Sequence, residues 1–142
     1  MLIINENYYL SPYHIVKAVS KHKPVTNEVK RVHRVPLTDL AEVIRSKNAG
    51  LYELTLDIIF KSREIFDRVA ALDFFTPGLF AKLYGIPEQQ VLSVLEFAPA
   101  RAIKATIVRP LVCGAIGDTD IYGARQHAPL PRVEVPWNHK NY

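Results

Sequence analysis

The 142-residue sequence has one cysteine, Cys113. A single thiol cannot close an intramolecular disulfide and has no second cysteine for a metal cluster, so the expected setting is a reducing, cytoplasmic one. No apolar run approaches the roughly 18 to 20 residues of a membrane span, and Met1 to Tyr9 lacks the basic start and long apolar centre of a secretory leader. A Gly-x-Ser-x-Gly elbow is missing, and Cys113 sits among apolar neighbours, so nucleophilic hydrolysis has little support. The glycines at 114, 117 and 123 do not stand at the spacing of a phosphate loop or a dinucleotide-binding turn. Internal repeats and low-complexity segments are absent as well.

Acidic residues are scarce at the start of the chain. Residues 1–50 carry eight Lys or Arg against four Asp or Glu, whereas residues 51–142 carry ten of each, so the whole net charge of +4 lies in the first third. Lys17, Lys21, Lys23, Lys30, Arg31 and Arg34 make a basic stretch, but it lacks interleaved aromatics and any nucleic-acid motif. A solvated face explains it better than nucleic-acid binding.

With 49% hydrophobic residues, the chain has enough apolar material for one domain with a core. Leu2 to Ile4 reads as a short strand. Ser11 and Pro12 open an amphipathic helix ending near Lys21, residues 23–30 form a linker, and residues 29–35 a short edge strand. Thr38 is expected to cap a helix with Leu40, Val43 and Ile44 on one face, closing at Ser46-Lys47-Asn48-Ala49-Gly50. Leu51 to Phe60 alternates Glu53, Thr55 and Asp57 against Leu54, Leu56 and Ile58, the pattern of a strand with one apolar face. On a covered face Asp57 would need a cation such as Lys47 or Lys104.

Ser62 then caps a helix containing Ile65, Phe66, Val69 and Leu72, and Thr76-Pro77 opens another that stops at Gly85. Residues 91–97 and 102–108 read as a hairpin joined by Ala98-Pro99-Ala100. Arg109-Pro110 ends that ladder, and Val133 and Val135 form a possible edge strand in a Pro-rich tail. The expected fold is α+β: a small mixed sheet with helices packed on one face and a long irregular C-terminal loop. Residues 1–34 are expected to be a helix with a basic extension, and residues 35–142 a single domain.

The chemistry is concentrated between Gly114 and Leu130. Asp118, Asp120, Tyr122, Arg125, Gln126 and His127 fall within ten positions of a loop with three glycines. A solvated connector and a functional site both fit such a loop. Asp118, Asp120 and His127 could supply metal ligands, although spacing of this kind is common by chance. His127 beside Arg125 and Gln126 meets the minimal requirement for general acid or base work.

Four blocks together carry a resemblance: Ser46-Lys47-Asn48-Ala49-Gly50, Thr55-Leu56-Asp57-Ile58, Ala102-Ile103-Lys104 with Arg109-Pro110, and Gly117 through Leu130. Over about residues 35 to 135 the chain resembles a small family of uncharacterised function found beside, or fused to, proteins similar to the acyclic terpene utilisation protein AtuA. The resemblance implies the small component of a two-part system acting on an organic acid or its acyl thioester, with an AtuA-like larger protein or a second copy as partner. It implies Lys47, Asn48, Lys104, Arg109, Arg125 and Gln126 as binders of an anionic small molecule. Asp118, Asp120, Tyr122 and His127 would transfer protons in a hydration or elimination, or hold a metal. It names no cofactor. Position 125 is arginine where the resemblance leads one to expect glutamine. A non-catalytic interaction subunit is the alternative.

Overall fold

The computed structural model describes residues 2–5, 8–10, 15–17 and 32–137. Contacts divide the chain into two compact units, 1–31 and 32–142. In the first, β1 (Leu2–Asn5), β2 (Tyr8–Leu10) and β3 (Ile15–Lys17) form an antiparallel sheet in that order. The strand at Ile15–Lys17 replaces part of the expected helix from Ser11 to Lys21. Ile15 and Val16 are β-branched, and opposite Leu10 and Tyr9 their backbone finds a ladder partner. The remainder of that expected helix and the linker at 23–30 lie outside the described residues.

The second unit begins with β4 (Arg34–Pro36), which pairs antiparallel with the late strand β9 (Glu134–Pro136). Between them lie α1 (Leu37–Leu40), β5 (Ala41–Asn48), β6 (Glu53–Phe60), α2 (Arg63–Ala71), α3 (Pro77–Tyr84), β7 (Val91–Phe97) and β8 (Ala102–Val108). The central sheet has four strands in the order β5-β6-β8-β7, antiparallel at every step. The architecture is α+β, with helices on one face of the sheet and a long irregular loop after β8.

The helix expected from Thr38 to Ser46 is a single turn followed by β5. Leu40, Val43 and Ile44 fit a helical stripe only because Glu42 is an extra residue. The register against β6 shifts between Ala41 and Val43, and this bulge displaces the two-residue alternation by one. Beyond it, Ser46 is buried while Arg45 and Lys47 are exposed.

Helices α2 and α3 follow their local signals. The Ser62 hydroxyl accepts from the Ile65 N–H at 3.1 Å and that of Thr76 from the Leu79 N–H at 3.2 Å; α3 closes on Gly85 at φ +62°. Leu54, Leu56, Ile58 and Phe60 of β6, with Ile103, Ala105 and Ile107 of β8, form the buried sheet face. Phe66, Val69 and Phe80 from the helices pack in the same core, and Phe74 meets Phe75 edge-on at 5.2 Å. Each such side chain contributes about 1.5 to 3 kcal/mol by leaving water. Leu130, Val133, Val135 and Trp137 complete the core, so both ends of the long loop are anchored. Among the described residues no helix is long and apolar enough to cross a membrane.

Candidate functional site

The loop after β8 is organised around Arg109, which is 4% exposed. Its backbone N–H donates to the Tyr52 carbonyl at 2.7 Å, fixing it beside the β5–β6 hairpin. Its guanidinium donates to Asn48 Oδ1 at 2.8 Å, to the Ile121 carbonyl at 3.2 Å and to Asp118 Oδ1 at 2.9 Å, and also to the Asp120 carbonyl. Four of its five N–H directions are thereby occupied, all by acceptors of this chain.

Asp118 is equally committed. Its Oδ2 accepts from the Gly114 N–H at 2.8 Å, and its Oδ1 takes the Asp120 N–H at 2.8 Å besides Arg109. Those two backbone donors, aided by the arginine charge, hold the carboxyl below the ordinary carboxylate range. Burial opposes ionisation of Asp120, and the N–H of Arg125, the side-chain amide of Gln126 and the N–H of Ala124 outweigh it, so its carboxyl is lowered too. These bonds measure 2.9, 3.0 and 3.0 Å. Both carboxylates close turns of their own loop.

Asn48 ties this loop to the sheet. Its backbone N–H donates to the Tyr122 carbonyl at 3.0 Å, and its side-chain amide donates to Cys113 Sγ at 3.3 Å and to the Ile121 carbonyl. One strand position earlier on the same face, the Ser46 hydroxyl donates to the Gly123 carbonyl at 2.5 Å. Gly123 has φ +67°, and a Cβ there would lie 2.6 Å from Asn48 Oδ1 and 2.7 Å from Leu54 Cδ1. Only glycine permits this approach.

The remaining loop residues are looser. Arg125 and Tyr122 are exposed, and Tyr122 retains 82% of its surface. Gln126 accepts from the Tyr84 hydroxyl at 2.8 Å through its carbonyl, and burial pushes the Tyr84 phenol well above its usual value. His127 Nδ1 lies 3.0 Å from the Ala124 carbonyl; facing an acceptor, that nitrogen carries the proton and Nε2 is left open. Among the described residues no group of three or more His, Cys, Asp or Glu could hold a metal, so Asp118, Asp120 and His127 do not converge as a ligand set.

Thus Asn48, Arg109, Asp118, Asp120 and Gln126 come together, while Lys47 and Lys104 do not join them. Strand alternation places those two lysines on the opposite sheet face, with Arg45 and Asp57. Asp57 is buried as a covered carboxylate would be, but its cation is Arg45, whose Nε is 2.9 Å away. Arg45 escaped notice because residues 38–46 carry a helical stripe, in which it has no cross-strand neighbour. Ser46 gave no separate signal, since a serine shows its partner only once the loop folds over it.

Fold and site define a small α+β domain whose irregular loop is locked to a β-hairpin by a buried arginine. Residues 37–134 match the family described as a domain of unknown function (DUF4387), and the chain belongs to that family. No curated protein and no solved structure shows a significant match.

Proposed function

We propose that this chain is the small, non-catalytic subunit of a cytoplasmic two-component system, with the Arg109-centred loop as the surface that receives the larger protein. One observation carries the proposal. The polar groups at the loop's heart, Arg109, Asp118 and Asp120, are paired within the chain, whereas several of its apolar side chains are turned outward. Ile116, Ile121 and Tyr122 are exposed, as are Leu51 and Tyr52 of the adjoining hairpin and Leu111 at the loop's start. Backbone bonds from Cys113 N–H to the Leu51 carbonyl and from Asn48 N–H to the Tyr122 carbonyl hold these segments side by side.

Outward aromatic and aliphatic groups on a rigid frame suit a protein interface, where anchors are apolar and little ordering remains to be done on binding. The larger protein is one similar to AtuA, and the system acts on an organic acid or acyl thioester. Sedimentation of the purified chain alone and with that larger protein tests the proposal. Co-sedimentation is expected; a monomer that ignores the larger protein rejects it, and self-association alone would move the interface to a second copy.

A second reading makes His127 the general acid or base of a hydration or elimination, since Nδ1 is held by Ala124 and Nε2 is open. His127→Asn separates the two. A catalytic histidine predicts turnover per assembled complex reduced by about two to four orders of magnitude. An interface role leaves turnover per complex unchanged.

A further inference from the structure

The face of the central sheet away from the helices carries a cavity of about 520 Å³ that the loop does not touch. Its floor is banded by strand register. One row runs Arg45, Asp57, Lys104 and Leu95 across the four strands. The next row runs Val43, Ile59, Ala102 and Phe97 and is entirely apolar. The two rows are one two-residue repeat apart, about 6 to 7 Å.

Charge on this floor is unbalanced. Arg45 is engaged by Asp57, but among the described residues neither Lys104, across from the same aspartate, nor Lys47 at the cavity's rim makes an ion pair. Glu96 pairs with Ile103 and so belongs to the other face, which leaves Arg45, Lys47 and Lys104 against Asp57 on this floor. Beside these heads the walls are apolar, and both Leu95 and Phe97 are more than half exposed. Small-molecule sites have this make-up: mostly apolar walls with a few charged groups that orient the ligand.

We infer that this cavity binds a small monocarboxylate, its carboxylate between Lys104 and Lys47 and a branched or flat hydrocarbon body lying along Ile59, Ala102 and Phe97. With Arg45 paired to Asp57, the two lysines can bracket one anionic head, and the row spacing suits a body of about 6 to 7 Å. Lys104 supplies a flexible point charge with three donors, whereas Arg45 already donates through Nε to Asp57 at 2.9 Å. The inference stands apart from the interface reading, because the cavity belongs to this chain alone and lies on another face.

The test uses the full chain with 3-methylbutanoate and its neutral amide, 3-methylbutanamide, followed by NMR. The acid is expected to shift the backbone resonances of Asp57, Lys104 and Phe97 saturably, and the amide is expected not to. Lys104→Met should weaken the acid at least about tenfold, as loss of a charge-assisted hydrogen bond does. Phe97→Ala, in the neighbouring row, should weaken acid binding while keeping the preference over the amide, and it serves if Lys104→Met does not fold. Tyr122→Ala, which the interface reading makes harmful to assembly, should bind the acid normally. Equal binding of acid and amide, no shifts at about 10 mM acid, or unchanged acid binding in folded Lys104→Met would overturn the inference. Concentration-dependent self-association through this face that the acid does not reverse would overturn it too.

Discussion

Replacing Gly123 by alanine is the sharpest perturbation of the loop's attachment, and its cost has two separable parts. The backbone stands at φ +67°, where an L-residue gives up about 1 to 2 kcal/mol. The added methyl also meets Asn48 Oδ1 at 2.6 Å, Leu54 Cδ1 at 2.7 Å and the Asn48 backbone nitrogen at 3.1 Å. Leu54 is wholly buried and Asn48 N–H is bonded to the Tyr122 carbonyl, so neither gives way freely; overpacking of this kind costs about 1 to 3 kcal/mol. The sum is about 2 to 5 kcal/mol. Gly117→Ala provides the control, since Gly117 has φ +93° but no atom within 4 Å of the added methyl. Urea unfolding of both variants, with limited proteolysis between residues 111 and 125, measures the difference. Gly123→Ala should be the less stable by the contact part and be cut faster. Equal stabilities would refute the close approach of loop and hairpin.

Asn48→Ala leaves Arg109 short of an acceptor and the Ile121 carbonyl short of a donor, and chemical denaturation should show a loss of about 1 to 3 kcal/mol. Asp118 and Asp120 are both lowered from the ordinary carboxylate value, so each stabilises the fold fully above about pH 4, and that support is lost as pH falls toward the lowered folded value. Acid titration followed by thermal unfolding should show stability falling below pH 4, and Asp118→Asn should shrink that fall. Arg45→Met uncovers Asp57, which is 11% exposed at its side chain, and should lower the unfolding temperature more than the exposed-face change Lys47→Met. Equal shifts would show that the Arg45–Asp57 pair contributes no more than a surface contact.

Signals confined to a few neighbouring residues were legible in the sequence. Ser62, Thr76-Pro77 and Gly85 mark their helices through bonds that close within one turn, and the alternation from Glu53 to Phe60 needs only the residues themselves. Strand β5 was not legible, because the bulge at Glu42 imitates a helical stripe and only pairing with β6 decides between the two. Ile15–Lys17 likewise depends on a strand partner. In the site, the residue types gathered around Asn48, Arg109, Asp118 and Asp120 stood out, but their use did not. Whether a carboxylate is free or spent on backbone N–H groups follows from the turns around it, and whether Tyr122 is an anchor or a core side chain follows from its exposure. The abundance of polar groups between 118 and 127 suggested proton chemistry. With Asp118 and Asp120 paired internally, the outward side chains of the loop include the apolar Ile116 and Ile121 and the aromatic Tyr122.

The most direct measurement is the affinity of this chain for an AtuA-like protein, the larger partner proposed above, taken for the native sequence and for Tyr122→Ala. Tyr122 is 82% exposed, so truncating it should leave unfolding stability within about 0.5 kcal/mol of the native value. At the centre of an interface its loss should weaken association by about 2 kcal/mol, on the order of thirtyfold. Undiminished affinity of a folded Tyr122→Ala chain, or no association of the native chain, would contradict the account.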